Sequence, residues 1–173
     1  MAKEKIDVLF SEADIKRRVA EMAREIEKDY PKGDLVVVGV LKGAFIFMSD
    51  LVRNFNRPVA CDFLRVSSYV NDKDTGVVRM EFDMTQPVKD KHVLLVEDIV
   101  ETGKTLVHLR RHIETKEPAS LKVATLLYKG VRPDVKKLVD YIGFESPRRF
   151  IIGYGLDSQG LYRSLPYIGA FPK

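Results

Sequence analysis

The chain has 173 residues, of which 45% are hydrophobic and 31% charged, with a formal net charge of +4. These values suit one compact globular domain with a sizeable core and exclude a disordered, collagen-like or membrane-spanning chain. Lysines and arginines are interleaved with acids, so the charge gives little support to nucleic-acid binding and suits an anionic small molecule equally well.

The N-terminal "MAKEKIDVLF" has no apolar signal core, and no segment approaches membrane-spanning length. A cytoplasmic protein is expected, with no membrane partner. Ser11 and Asp14 form a variant capping box, and Ile15, Val19, Met22 and Ile26 then recur at helical spacing. Pro31 and Gly33 end that helix. "LVVVGV", from Leu35 to Val40, is a continuous apolar run rich in β-branched residues, which predicts a strand covered on both faces. A short "LKG" turn leads into "AFIFMSDLVRNF", read as a helix. The next strand, "VACDFLRVSSY", holds Cys61, the single cysteine, so no intrachain disulfide can form. In so apolar a run Cys61 is expected simply to pack.

The polar stretch "VNDKDTGVVRMEFDMTQPVKDK" between Tyr69 and Lys91 has two readings, a lid over a binding site or a hairpin extending the sheet. "HVLLVE" is a third strand, "TGKTLVHLRRHIE" a helix and "LKVATLLY" a fourth strand. This alternation predicts an α/β fold with a largely parallel sheet. Ligands gather at the carboxyl ends of such strands, which directs attention to the turns at 41–44, 97–105 and 129–131.

The segment "VLLVEDIVETGKTL", Val93 to Leu106, ends like a P-loop in Gly103, Lys104 and Thr105. The P-loop pattern requires glycine at position 98, where Asp98 stands, flanked by Glu97 and followed by Glu101. A nucleoside triphosphatase is therefore disfavoured. The turn before the helix still offers backbone N–H groups, a positive helix end, the hydroxyls of Thr102 and Thr105 and a flexible glycine for a phosphate. Carboxylates beside it suit a sugar diol and a base proton better than bare phosphate. A ligand with ribose between its phosphate and its reactive carbon answers all three acids. His108 and His112 have metal-ligand spacing, but Leu109 stands where a zinc protease needs glutamate, and both are expected to be partly exposed helix residues.

The complete run of buried strand, two acids, two aliphatics, an acid and "TGKT" resembles the phosphoribosyl-diphosphate (PRPP) motif of the type I phosphoribosyltransferases. "GVLKGAFIFMSDL" resembles the pyrophosphate loop of the 6-oxopurine (hypoxanthine and guanine) members, "SSYVND" their lid and "FESPRRFIIGYGLD" their purine pocket. The resemblance implies a single domain over residues 1–173: a largely parallel central sheet flanked by helices, a small hood, and a mobile lid at about 68–91. It implies magnesium-dependent transfer of the phosphoribosyl group from PRPP to N9 of hypoxanthine or guanine, by a homodimer or homotetramer.

The same resemblance assigns roles to individual residues. Glu101, Thr102, Gly103, Lys104 and Thr105 would hold the 5′-phosphate, and Glu97 and Asp98 the ribose hydroxyls. Leu41, Lys42, Gly43 and Arg163 would meet pyrophosphate, through a Leu41–Lys42 peptide that can be cis in the family. Lys129 would donate to the purine 6-oxo group, which rejects the amino group of adenine. Phe150 would stack on the purine, Ile151 would offer its main chain, and Asp157 would lie near the purine 2-position. Asp157, Glu97 and Asp98 would share the metal, and Ser68 and Tyr69 belong to the lid. Glu101 occupies the position of the general base, where the family usually has aspartate. A xanthine-preferring enzyme and an RNA-binding regulator on the same fold are the alternatives.

Overall fold

The computed structural model describes residues 5–70, 73–130 and 133–172, with the side chains of 68–70 and 73–77 outside that description. Its centre is a six-stranded sheet. Strands β2 (Leu35–Leu41), β3 (Ala60–Val70), β5 (His92–Val100), β6 (Ser120–Tyr128) and β7 (Tyr141–Glu145) run parallel, and β4 (Lys73–Phe82) pairs antiparallel with β3. The order is β4-β3-β2-β5-β6-β7. A second, three-stranded antiparallel sheet joins β1 (Asp7–Phe10), β9 (Ile168–Ala170) and β8 (Ile151–Ile152). It is the small hood that the resemblance implied.

The apolar run of β2 is buried on both faces, as its β-branched composition predicts. Val37 enters one core cluster with Leu94, Val96 and residues of α1 (Glu12–Asp29) and α2 (Phe45–Arg53). Val36, Val38 and Val40 enter the other, with Val93, Leu95 and residues of α3 (Lys104–Glu114) and α4 (Pro133–Lys136). Helix α1 starts where the capping box places it. Ser11 accepts from the Asp14 N–H at 3.2 Å, and Ile15, Val19, Met22 and Ile26 line its buried face.

Three expectations need revision. Helix α2 stops at Arg53 rather than reaching Phe55, because the Asn54 side chain donates to the Asp50 carbonyl at 2.8 Å and closes the last turn. Strand β5 runs past Glu97 to Val100, since β6 stays alongside it as far as the Val100–Tyr128 pair. Cys61 is exposed rather than packed. It lies at the start of β3, before the paired segment of β4 begins at Arg65–Phe82, so no strand covers it on that side.

The 70–91 stretch contains β4, paired through Tyr69–Asp74 and Arg65–Phe82, so it does extend the sheet as a hairpin. Residues 71–72 lie outside the described residues, as do the side chains of Ser68 and Tyr69.

Candidate active site

The sheet opens where its connections change direction. Strands β2 and β5 are paired from Leu35–His92 to Gly39–Val96 and no further. Beyond that point β2 follows β3 to Leu41–Arg65, while β5 follows β6 to Val100–Tyr128. The chain leaves β2 toward one side of the sheet and β5 toward the other, which makes a crevice at the carboxyl ends, the usual ligand site of such folds. A cleft of about 470 Å³ fills it, lined by Leu41, Lys42, Gly43, Arg65, Glu97, Asp98, Thr105, Asp157 and Arg163 among others.

Glu97 and Asp98 form its floor. Glu97 is only 7% exposed, and burial first, then the Asp98 charge, push its carboxyl well above the usual range. Burial also pushes Asp98 up to about 6, with Asp157 adding to the rise and the Ile99 N–H and Arg163 opposing it. Asp98 accepts that Ile99 N–H at 2.7 Å. Acids held this way strongly favour any ligand that brings hydroxyl donors or a cation.

One wall is the turn after β2, where the Leu41–Lys42 peptide is cis, as the family pattern allows. Gly43 has no room for a side chain, since a Cβ there would sit 1.4 Å from the Asp98 Oδ2. The opposite wall is the 153–163 segment. Arg163 donates to the Gly155 carbonyl at 2.5 Å and pairs with Asp157 at 2.5 Å, and the Gly160 N–H donates to Asp157 at 2.7 Å. Gly155 itself, at φ +101°, rests on the turn, for a Cβ there would lie 2.1 Å from the Gly43 carbonyl.

At the end of β5, Gly103 caps α3 in the left-handed conformation, φ 76°, and its bare face lies against Val135, where a Cβ would come within 2.8 Å. Gly103 supplies no side-chain cap to α3, and apart from a long 3.5 Å bond from the Lys104 N–H to the Thr102 hydroxyl its first N–H groups face a ligand site, with Thr102 exposed and Thr105 half-buried beside them. Lys104 is exposed and engaged within the fold.

Lys129 follows β6, and its N–H donates to the Val100 carbonyl at 2.9 Å. That bond carries its side chain to Glu101, with Nζ 3.3 Å from the carboxylate. Phe150 is 62% exposed, which rules out a core role, while the adjacent Ile151 is 6% exposed and fixed in β8. Arg149 anchors this strap to the hood by pairing with Asp7 at 2.7 Å and donating to the Phe171 carbonyl at 2.5 Å.

Glu97, Asp98 and Asp157 therefore line one crevice. Among the described residues no group of three or more acids, histidines or cysteines could hold a metal alone. The mutual repulsion of Asp98 and Asp157 fits a hard divalent cation shared between a carboxylate or two and substrate oxygens. His108 and His112 are half-buried on α3, and His112 pairs with Asp83 at 2.8 Å rather than forming a metal site. Sequence reasoning missed Arg65, which reaches the crevice from β3 while pairing with Glu81 at 2.7 Å. It also missed the packing of Gly43 on Asp98, for which the adjacent "KG" gave no distinctive signal.

Residues 6–159 match the phosphoribosyl transferase domain family. A hypoxanthine phosphoribosyltransferase of Haemophilus influenzae is 45% identical over 173 residues, covering 98% of this chain and 97% of its own. A hypoxanthine-guanine phosphoribosyltransferase of Dictyostelium discoideum is 45% identical over 168 residues, covering 94% and 93%. The crystal structure of a Staphylococcus aureus hypoxanthine phosphoribosyltransferase superposes with a TM-score of 0.89 at 40% identity, covering 96% of this chain and 91% of that one. With a central crevice, an acid pair and a phosphate-type loop in the expected order, and relatives matched over nearly their full length, the chain belongs to the phosphoribosyltransferase family.

Proposed function

We propose that the protein salvages purines by transferring the 5-phosphoribosyl group of PRPP to N9 of hypoxanthine or guanine, giving IMP or GMP and pyrophosphate. The observation that carries this reading is the placement of the Glu97–Asp98 pair between a phosphate-type helix end and the Lys42 turn. That spacing suits a ligand with a phosphate at one end, a diol in the middle and pyrophosphate at the other.

In this reading the N–H groups of the 101–105 turn and the hydroxyls of Thr102 and Thr105 hold the 5′-phosphate, with Gly103 permitting close approach. Glu97 and Asp98 accept from the ribose hydroxyls. Purine N9 attacks C1 of the ribose from the face opposite pyrophosphate, so the C1–O bond breaks with inversion. Positive charge builds on the sugar ring as that bond lengthens. Backbone donors at Leu41, Lys42 and Gly43 and the Arg163 guanidinium offset the negative charge on the departing pyrophosphate. Glu97, Asp98 and Asp157 are the residues that would hold Mg2+, which when bound supplies further charge stabilisation to pyrophosphate.

Lys129 donates to the 6-oxo group, Phe150 stacks on the exposed purine face and the Ile151 main chain meets the purine edge. Glu101 takes the proton from N7 as N9 forms its new bond, leaving a neutral purine in the product. Closure of the 68–91 region, including Ser68 and Tyr69, excludes water that would otherwise hydrolyse the activated sugar.

The same proposal includes a cytoplasmic homodimer or homotetramer. Exposed phenylalanines at 45, 63 and 82 favour self-association, and no described helix is long and apolar enough to cross a membrane. Incubating purified protein with PRPP, Mg2+ and hypoxanthine or guanine tests the reaction directly, and failure to form either nucleotide contradicts it.

A further inference from the structure

The two walls of the crevice are tied to each other by groups outside it. Helix α2 follows directly from the Lys42 turn, and the Phe45 N–H donates to the Lys42 carbonyl at 3.3 Å. Near the far end of α2, Asp50 accepts from the Tyr154 hydroxyl at 2.6 Å. Its other oxygen accepts from Arg53 at 2.5 Å, which orients the carboxylate. Tyr154 is 5% exposed and adopts φ 48°, between Gly153 at φ 96° and Gly155 at φ 101°. Three consecutive left-handed residues make a costly bend, which reciprocal Gly153–Leu156 backbone bonds at 3.0 and 3.1 Å close locally. External bonds hold it as well: the Tyr154 N–H donates to the Leu165 carbonyl at 2.9 Å, and the Gly155 N–H to the Arg163 carbonyl at 2.9 Å.

We propose that Tyr154 and Asp50 form a positioning latch that sets Asp157 and Arg163 against the Lys42 turn and thereby tunes binding of the pyrophosphate end of PRPP. Tyr154 touches no substrate group in this account. It acts through its neighbour Gly155, which rests on the Gly43 carbonyl and accepts from Arg163. Burial, then the accepting Asp50 carboxylate, hold the phenol well above its ordinary pKa, so it remains a donor at neutral pH. Lys129 lies on a different segment, while Phe150 and Ile151 lead directly into the bend and are held from the other side by the pairing of β8 with β9, so the purine end is coupled to the latch less tightly than the pyrophosphate end.

The inference rests on the phosphoribosyl-transfer reading, and steady-state kinetics with PRPP and hypoxanthine varied separately test both. Tyr154→Phe and Asp50→Ala are expected to raise KM for PRPP roughly 5- to 20-fold, as loss of one charge-assisted hydrogen bond does. The KM for hypoxanthine should rise by a clearly smaller factor than that for PRPP. Asp50→Asn keeps an accepting oxygen and should restore most of the PRPP affinity. The double variant should be no worse than the weaker single one, because both remove the same bond. Dissociation constants for pyrophosphate, measured calorimetrically on folded variants, should move in parallel.

An unchanged KM for PRPP in Tyr154→Phe and Asp50→Ala overturns the latch. Equal rises in both substrate constants also overturn it, since they report general damage. A wild-type protein that neither binds PRPP nor turns over defeats the functional reading itself, and the latch with it.

Discussion

Lys129 and Glu101 are each other's partner across the purine end of the crevice, with Nζ 3.3 Å from the carboxylate. The lysine is 17% exposed and the glutamate 50%, so the pair has a recessed cation and an open acid. Aspartate on this backbone is one methylene shorter, and glutamate's extra reach is what this contact uses. The pairing holds both groups on the side of the site where the purine edge with N7 and O6 must lie. Glu101→Gln keeps the size and removes the basicity, and should lower kcat by roughly 100-fold. Glu101→Asp should stay within about tenfold of the parent. A Gln variant with full rate removes Glu101 from the proton transfer.

Phe150 offers a separation of binding from stability. At 62% exposure its removal exposes little new surface, so Phe150→Ala should change unfolding free energy by less than about 0.5 kcal/mol. Lost stacking should raise KM for hypoxanthine between about 5- and 100-fold. Denaturant unfolding and purine kinetics on one preparation check both, and a folded variant with an unchanged KM for hypoxanthine contradicts the assignment.

Gly43 is packed against the acid pair. A methyl group there collides with the Asp98 carboxylate, so Gly43→Ala must displace either Asp98 or the turn. The expected result is a destabilisation of about 1–3 kcal/mol with a rise of about tenfold or more in KM for PRPP. Urea midpoints and PRPP kinetics measure the two effects.

Much of this is legible in the sequence alone, for physical reasons that differ by element. The strand Leu35–Leu41 announced itself because both its faces are buried, and α1 because its cap and its apolar stripe are local. The hood was not legible residue by residue. Its strands are two to four residues long and exist through pairs such as Asp7–Ala170, between opposite ends of the chain. The candidate phosphate and ribose residues occupy one contiguous run, so spacing alone suggested their chemistry. Lys129, Phe150 and Arg163 carried no such local signal and were assigned from family resemblance. The exposure of Cys61 depended on where β4 begins its pairing, which local pattern does not encode.

The acid pair sets a pH dependence of stability. An acid whose folded pKa is raised from 3.8 to about 6, as burial does to Asp98, stabilises the fold most fully below 3.8. That contribution is lost as pH rises through about 6. Asp98→Asn removes the ionisation. Relative to the parent, the variant should gain on the order of 1–3 kcal/mol between about pH 4.5 and about pH 7.5. Glu97, raised by burial and by the Asp98 charge, should follow in the same direction once that charge is gone. Urea unfolding at the two pH values checks this, and a pH-independent difference contradicts it.

The most direct test of the whole account is a purine panel with PRPP and Mg2+, comparing initial rates for hypoxanthine, guanine, xanthine and adenine. The account predicts nucleotide formation with hypoxanthine or guanine. It also predicts rejection of adenine by at least about 100-fold in kcat/KM, because Lys129 cannot pair with an amino group. No nucleotide from either hypoxanthine or guanine, or equal use of adenine, would contradict it.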